Sequence, residues 1–399
     1  MARLALGTAS ALGLARFAYG LLLPAMREDL RWSLGQAGAM GAANGVGYLL
    51  GALMTAGVVR RWGAATAFRA GMALTAVSLA ATAASDDYLA LLAVRTVAGA
   101  TGAVVFVAGG VIASRAATRT VSGTPITVYF AGAGLGIVIS GVSIPVLAGH
   151  WRLAWGVLAG AAALATVAGW TATGTDEDVR AATAGRARLG ALWRPALAYL
   201  LFAAGYITYI TFLSAYLTDR DASRGQVVLT WTVLGLAVVA APALWSRPTA
   251  QWPGARALTV LLALLAGGAA LALTSSAPSV ILASALCYGA TFMGVPAAVT
   301  ALIKRDIRPV DRTATLAAFT TVFAAGQTAG PWIAGVVADH TSTEATLAWT
   351  AILCAGAAGI AAAGTRRRPG TPPVATGTAR QEAHAAEGAP GRTVGHDSF

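Results

Sequence analysis

Two arginines, Arg16 and Arg95, stand inside long apolar stretches that hold no other charge. An ionisable side chain at the centre of a membrane helix costs at least ~2.5–3.5 kcal/mol and by default marks a function. Arg16 lies about twelve residues into its stretch, roughly 18 Å at the helical rise, and so near a bilayer midplane. Its planar fork suits a carboxylate; the competing reading is a brace bonded to carbonyl oxygens of a neighbouring helix. Arg95 falls about 10 Å from the end of its stretch, where it can brace helices, snorkel or touch a solute. The other polar or amphipathic side chains at depth are Tyr19, Asn44, Tyr129, Tyr206, Tyr209, Tyr288 and Gln327. One arginine among several phenols suits a small solute that is partly aromatic or carboxylated. Each phenol is equally well explained by a hydroxyl bonded within helix packing. No carboxylate sits mid-stretch, and no triad, zinc spacing or nucleotide loop occurs. The run Gly132-x-Gly134-x-Gly136 lacks the strand–helix setting of a dinucleotide fingerprint.

These residues need membrane-spanning helices to hold them. Apolar residues make up 57% and charged residues 11% of the 399-residue chain, and the mean hydropathy is +0.67. A soluble domain carries roughly 25% charged residues. The 28 Lys+Arg against 16 Asp+Glu are dispersed through short loops rather than gathered on one basic face, which excludes a nucleic-acid binder. Cys287 and Cys354 fall within spans and read as small buried hydrophobes. Twelve stretches approach the ~20 apolar residues that a span needs: 4–25, 35–59, 64–84, 88–112, 125–149, 151–172, 195–217, 226–245, 255–276, 279–303, 313–338 and 344–363. They lack strand alternation, so the spans are helical. Arg16 interrupts the apolar core of the opening segment, which reads as an uncleaved first span rather than a signal peptide.

The two halves of the chain repeat at an offset of 190 positions. Tyr19 pairs with Tyr209, Asp29 with Asp219, Ser33 with Ser223, Gly35-Gln36 with Gly225-Gln226, Trp62 with Trp252 and His150 with His340. Repeats of hydrophobic helices mark secondary transporters, whose substrate site lies where the repeats meet. The repeat predicts that Tyr19 and Tyr209 face each other across a pseudo-two-fold axis and that Tyr206 takes the position of Arg16. It divides the chain into a six-helix half at 1–172, a polar linker at 173–193, a second half at 194–363 and a disordered tail at 364–399. With the N-terminus inside, the cytoplasmic segments hold most of the arginines. The opposite face holds only Arg27, Arg31, Arg152, Arg220 and Arg224. That bias places both termini in the cytoplasm. Gly41-x-x-x-Gly45 and Gly47-x-x-x-Gly51 are small-residue faces for close helix contact.

Twelve spans, a duplicated six-helix half and a charged central linker resemble the major facilitator superfamily. Arg95-x-x-x-Gly99-x-x-Gly102 is similar to its fourth-helix pattern, and Trp151-Arg152-x-x-Trp155 to its sixth-helix entry. Gly330-Pro331-x-x-x-Gly335 with Asp339 resembles its eleventh-helix ending. Gly13-x-x-Arg16-Phe17-Ala18-Tyr19-x-x-x-x-Pro24 resembles a poorly characterised bacterial branch. The loop after the second helix departs from the pattern: Arg60-Arg61-Trp62-Gly63-Ala64 has Arg60 where the family carries an Asp, and Ala64 replaces its last basic residue. A gate resting on that Asp is not available, although Gly63 can still make the turn.

The resemblance implies an all-α integral membrane protein in a bacterial cytoplasmic membrane, a monomer that moves a small solute by alternating access. The substrate-binding candidates are Arg16, Tyr19, Asn44, Tyr129, Tyr206, Tyr209 and Gln327. The gating or coupling candidates are Arg95, Asp29, Asp219, Asp339, Arg61 and Gly63. No resident cofactor or metal is expected. Proton coupling stays open, through a substrate carboxyl or through Asp29, Asp219 or Asp339. Without an embedded carboxylate, cationic drug efflux is disfavoured and an organic anion is the better substrate. Two alternatives remain: an efflux carrier for neutral or amphipathic compounds, and a membrane sensor or scaffold that moves nothing.

Overall fold

The computed structural model describes residues 2–120, 124–147, 149–171 and 186–365. The expected linker at 173–193 therefore lies outside the described residues up to 185, as does the expected tail from 366 onward. Among the described residues every regular element is helical. We label the crossings α1 (Ala2–Leu30), α2 (34–62), α3 (64–84), α4 (Tyr88–Thr120), α5 (Thr124–Ser143), α6 (Trp151–Gly169) and α7 (Trp193–Thr218), followed by α8 (Arg224–Gln251), α9 (Arg256–Thr274), α10 (Pro278–Asp306), α11 (Pro309–Asp339) and α12 (Glu344–Thr365).

Among the described residues, ten helical segments are long and apolar enough to cross a membrane. One of them, Leu34–Ala84, is two crossings joined at Gly63. There φ is 79° and ψ 160°, a backbone state that a glycine adopts without a Cβ clash. The twelfth crossing is α11, whose run of Thr, Gln and Gly keeps it below the apolarity of the rest. Its sequence fits a helix that faces a cavity rather than lipid. Leu53, Met54, Val77, Leu164 and Ile352 stay exposed on the outside of the bundle, as a lipid-facing surface requires.

The internal repeat is visible in backbone detail. Ser33 accepts from the Gln36 N–H at 3.1 Å to start α2, and Ser223 accepts from the Gln226 N–H at 3.2 Å to start α8. Each such cap satisfies a backbone donor that the helix leaves open. Ahead of both caps sits a non-glycine residue in the left-handed region, Arg31 and Asp221, each at φ 55°. Their numbers differ by the same 190 as the sequence matches. The turn after α8 departs by one residue, because the positive-φ glycine is Gly254 rather than position 253.

The two halves meet along α1–α7, α2–α11 and α5–α8. At the first crossing, a Cβ on Gly20 would lie 2.0 Å from the Ile210 carbonyl oxygen, so only glycine allows the backbones to come so close. Gly45 faces Thr328 of α11, Gly51 faces Ala100 of α4 and Gly134 faces Gly235 of α8, as small-residue helix faces do.

Two faces of the bundle are named by their charge. The basic face carries the α2–α3 turn with exposed Arg60 and Arg61, and the α10–α11 junction with Lys304 and Arg305 in the last turn of α10, Arg308 between the helices and Arg312 in the first turn of α11. The rim face carries the α1–α2, α7–α8 and α11–α12 turns.

Candidate functional site

A cavity of about 600 Å³ lies between the halves. It runs from Arg16 and Tyr206 at its deep end to Ser114, Thr249 and Lys304 toward the basic face. Among the described residues no Asp or Glu lines it; its charged side chains there are Arg16 and Lys304.

Arg16 belongs to a π-helical run, Ala9–Phe17, inside α1. The Ala18 N–H closes that run by bonding back five residues to the Gly13 carbonyl. Such wide turns recur where a helix must present a functional group. Arg16 is only 7% exposed. Its Nη2 donates to Gln327 Oε1 at 2.6 Å, linking α1 to α11 across the halves. Its guanidinium sits 5.2 Å from the centre of the Tyr48 ring. The same Gln327 oxygen accepts from the Tyr206 hydroxyl at a long 3.4 Å. Two donors at this junction have no hydrogen-bond partner among the described residues, Arg16 Nε and Gln327 Nε2.

The wall contributed by α7, α10 and α11 is aromatic. Tyr199, Phe202, Tyr206, Phe292 and Phe323 stand within 11–29° of parallel at each stacked contact. Phe202 and Tyr206 are 4.8 Å apart, Tyr206 and Phe323 5.5 Å, and Tyr206 and Phe292 5.9 Å. All five line the cavity. The sequence reading missed four of them, although the signal was present. Tyr199, Phe202 and Tyr206 are three and four residues apart, which places them on one helix face.

Gln327 is fully buried behind its contact with Arg16 and, like the remaining expected binding residues, does not line the cavity. Tyr19 donates to the Ala37 carbonyl on α2 at 2.7 Å. Tyr209 shares a 2.8 Å hydrogen bond with Ser284 of α10 and stacks on Tyr288 at 3.9 Å. These two phenols therefore turn into their own halves and do not face each other, a correction to the repeat-based expectation. The pseudo-axis is occupied instead by the Gly20–Ile210 contact, which leaves no room for rings between the helices. Tyr129 donates to the Val105 carbonyl at 2.8 Å. Asn44 Nδ2 donates to the Arg95 carbonyl at 3.2 Å, tying α2 to α4.

Arg95 is 2% exposed. Its Nη1 donates to the Ala15 carbonyl at 2.7 Å, one residue from Arg16. Its guanidinium lies 4.9 Å from the Tyr19 ring centre and 5.6 Å from that of Trp155. Arg95 neither snorkels nor reaches the cavity; it holds the π-helical run in place.

The three rim acids differ in what they join. Asp29 accepts from Trp151 Nε1 at 2.8 Å and Arg152 Nη1 at 3.1 Å, within α1–α6. Asp219 accepts from the Thr343 hydroxyl at 2.9 Å, within α7–α12. Asp339, at the end of α11, accepts from the Leu34 N–H at 2.6 Å and the Gly35 N–H at 2.8 Å, at the start of α2. It alone of the three spans the halves. With Gly20 against Ile210, it closes the rim side above Arg16. On the basic face Arg61 lies over the Trp62 ring at 5.9 Å. Asp311, in the first turn of α11, accepts from the Arg186 N–H at 2.9 Å and from Arg188 Nε and Arg308 Nη2 at 3.0 Å. The Arg186 N–H and then the two guanidiniums hold its carboxyl at about 2, below the ordinary value of 3.8.

Two six-helix halves around a cavity ending on a buried arginine, closed at one face and open at the other, define a transporter of the major facilitator fold. The family model described as "Uncharacterised MFS-type transporter YbfB" matches residues 8–366, and the chain belongs to that family. The family is one of transporters rather than enzymes, and the chain is a multi-pass membrane protein. A search of curated proteins finds no significant match. Among solved structures, a point mutant of the nucleoside transporter NupG is similar with a TM-score of 0.71 at 14% identity, over 92% of this chain and 99% of that one. A bacterial homolog of the human lysosomal transporter Spinster, inward-facing and unoccupied, gives 0.65 at 14% identity, over 93% and 98%. The human organic anion transporter MFSD10 gives 0.61 at 17% identity, over 90% and 97%.

Proposed function

We propose that this chain carries a small organic anion across the membrane by alternating access, with Arg16 as the counter-charge. One observation carries the reading: the cavity ends on a buried arginine, and among the described residues no carboxylate lines it to neutralise or compete with that charge. A guanidinium desolvated in this way favours an anion over a neutral solute. MFSD10, described as an organic anion transporter, shares the fold and lends the reading support. The arginine bias of the basic face favours a cytoplasmic location for that face and for both termini. The cavity then opens inward. The lipid environment is a bacterial cytoplasmic membrane, the working unit a monomer and the rocking bodies 1–172 and 194–363. A proton, if one is coupled, travels on the substrate's own carboxyl or through the rim acids, of which Asp339 is the best suited because it joins the halves.

The aromatic wall favours a second reading, efflux of neutral amphipathic compounds. Uptake into proteoliposomes separates the two. The anion reading expects organic acids to be transported and Arg16→Ala to abolish it. Transport of neutral compounds only, unchanged by Arg16→Ala, would overturn it.

A further inference from the structure

The stacked rings and Arg16 meet at the same end of the cavity, and together they describe a ligand more narrowly than charge alone. We infer that the cavity takes a monocarboxylate bearing a flat aromatic ring, its ring stacked on the Tyr206–Phe323 wall and its carboxylate on the Arg16 guanidinium. This inference rests on the organic-anion reading and sharpens it.

The carboxylate half follows from donor accounting. A buried donor without a partner is costly, and two occur here: Arg16 Nε, on a side chain that lines the cavity, and Gln327 Nε2, on one that does not. Both belong to side chains already in contact through Arg16 Nη2 and Gln327 Oε1. A carboxylate entering the cavity meets the Arg16 guanidinium, whose planar fork suits its two oxygens. The site offers one deep cation, since the other cavity cation, Lys304, lies at the mouth. That single charge fits a monoanion. The Tyr206 hydroxyl and Arg16 Nη2 share the Gln327 oxygen, which joins the ring wall to the cation.

The ring half follows from orientation. Aromatic pairs pack either offset-stacked or edge-to-face. On the opposite wall Phe106 is tilted 56° to Tyr48 and 54° to Phe130. On the α7–α10–α11 wall five rings run near parallel to one another, and the mixed contacts lie at their margins, Phe17 edge-on to Phe292 at 86° and Phe319 tilted 38° to Tyr199. A flat ring can join that array in offset stacking, whereas a saturated ring presents hydrogens to it. Phe323 is the partly exposed member and so the natural contact.

The test uses the full chain in detergent, titrated with benzoate, phenylacetate and indole-3-acetate, with the matching amides, and with cyclohexanecarboxylate and acetate. The aromatic acids should bind, cyclohexanecarboxylate roughly tenfold more weakly, and the amides not measurably. Phe323→Leu should shrink the ring preference while keeping the preference for acid over amide. Gln327→Glu places a carboxylate against Arg16 and should abolish acid binding without loss of thermal stability. Equal binding of cyclohexanecarboxylate and the aromatic acids would overturn the ring assignment and leave the anion reading standing. Equal binding of amides and acids would overturn both, as would absence of binding by the whole panel.

Discussion

Asp339 is the rim acid whose removal should change conformation rather than only stability. Its carboxylate receives two backbone N–H groups, from Leu34 at 2.6 Å and Gly35 at 2.8 Å. Both donors belong to the first turn of α2, in the opposite half. Hydrogen bonds to a charged group contribute about 1.5–3 kcal/mol each, and an anion at a helix N-terminus about 0.3–1 kcal/mol more. Asp339→Asn keeps one acceptor oxygen and removes the charge, so a loss of about 2 kcal/mol is expected. That is a factor of about 30 toward the rim-open state; a population of about 1% would rise to roughly a quarter. The assay is a pair of spin labels at Ala84→Cys and Ser276→Cys, on exposed rim turns of opposite halves, with Cys287 and Cys354 replaced by alanine. Asp339→Asn should add a longer-distance population. Asp29→Asn should not, because Asp29 bonds to Trp151 and Arg152 of its own half. An unchanged distance distribution in Asp339→Asn would refute the reasoning that this contact closes the rim.

Other consequences follow from the packing. Gly20→Val should prevent assembly of the halves, since its Cβ would meet the Ile210 backbone at 2.0 Å with nothing flexible to yield; loss of monodisperse protein on size exclusion checks it. Arg95→Met removes the donor to Ala15 and should cost about 1.5–3 kcal/mol of stability, read as a lower Tm, while leaving the preference for acids over amides intact. Asp221→Gly relieves a left-handed non-glycine residue and should raise Tm slightly, by the equivalent of about 1 kcal/mol. For Asp311 the sign is that of a depressed carboxyl. Its contribution is full above the unfolded value and is lost only as pH falls toward about 2. The Tm difference between parent and Asp311→Asn should therefore be constant between about pH 5 and 8; a difference that vanishes within that range would show that the Arg186–Arg188 contact is not what holds it.

The fold was legible because its signals are local or periodic. Apolar length marks the crossings and Gly63 marks a turn, whereas Ser33 and Gln36 stand in the sequence only as repeat matches and show themselves as a cap in the structure. The repeat was legible in like residues at a fixed offset, such as Ser33 and Ser223; the structure extends it to Arg31 and Asp221, which hold the same φ of 55° despite sharing no side-chain chemistry. The weak crossing, α11, was found as one of the twelve apolar stretches, at 313–338, although its Thr, Gln and Gly thin that signal. Arg16 was legible as a site residue because a charge in hydrocarbon needs a reason. The aromatic wall was not, because its members come from α7, α10 and α11, and only their packing makes five rings parallel.

Tyr19 and Tyr209 show where repeat logic stops. Symmetry fixes which residues are equivalent, but not which way each side chain turns. That is decided by the nearest acceptor, and here each hydroxyl finds one in its own half, the Ala37 carbonyl for Tyr19 and Ser284 for Tyr209. The same asymmetry governs the site itself. Arg16 and Tyr206 occupy equivalent positions, yet one presents a charge and the other a ring and a hydroxyl. A strictly symmetric pair of arginines would place two cations at the deep end and demand a dianion or a second counter-charge. The divergence of position 206 to tyrosine leaves one cation beside one aromatic wall. That difference between the halves, more than their likeness, gives the cavity a preference for a ligand with one charged end and one flat end.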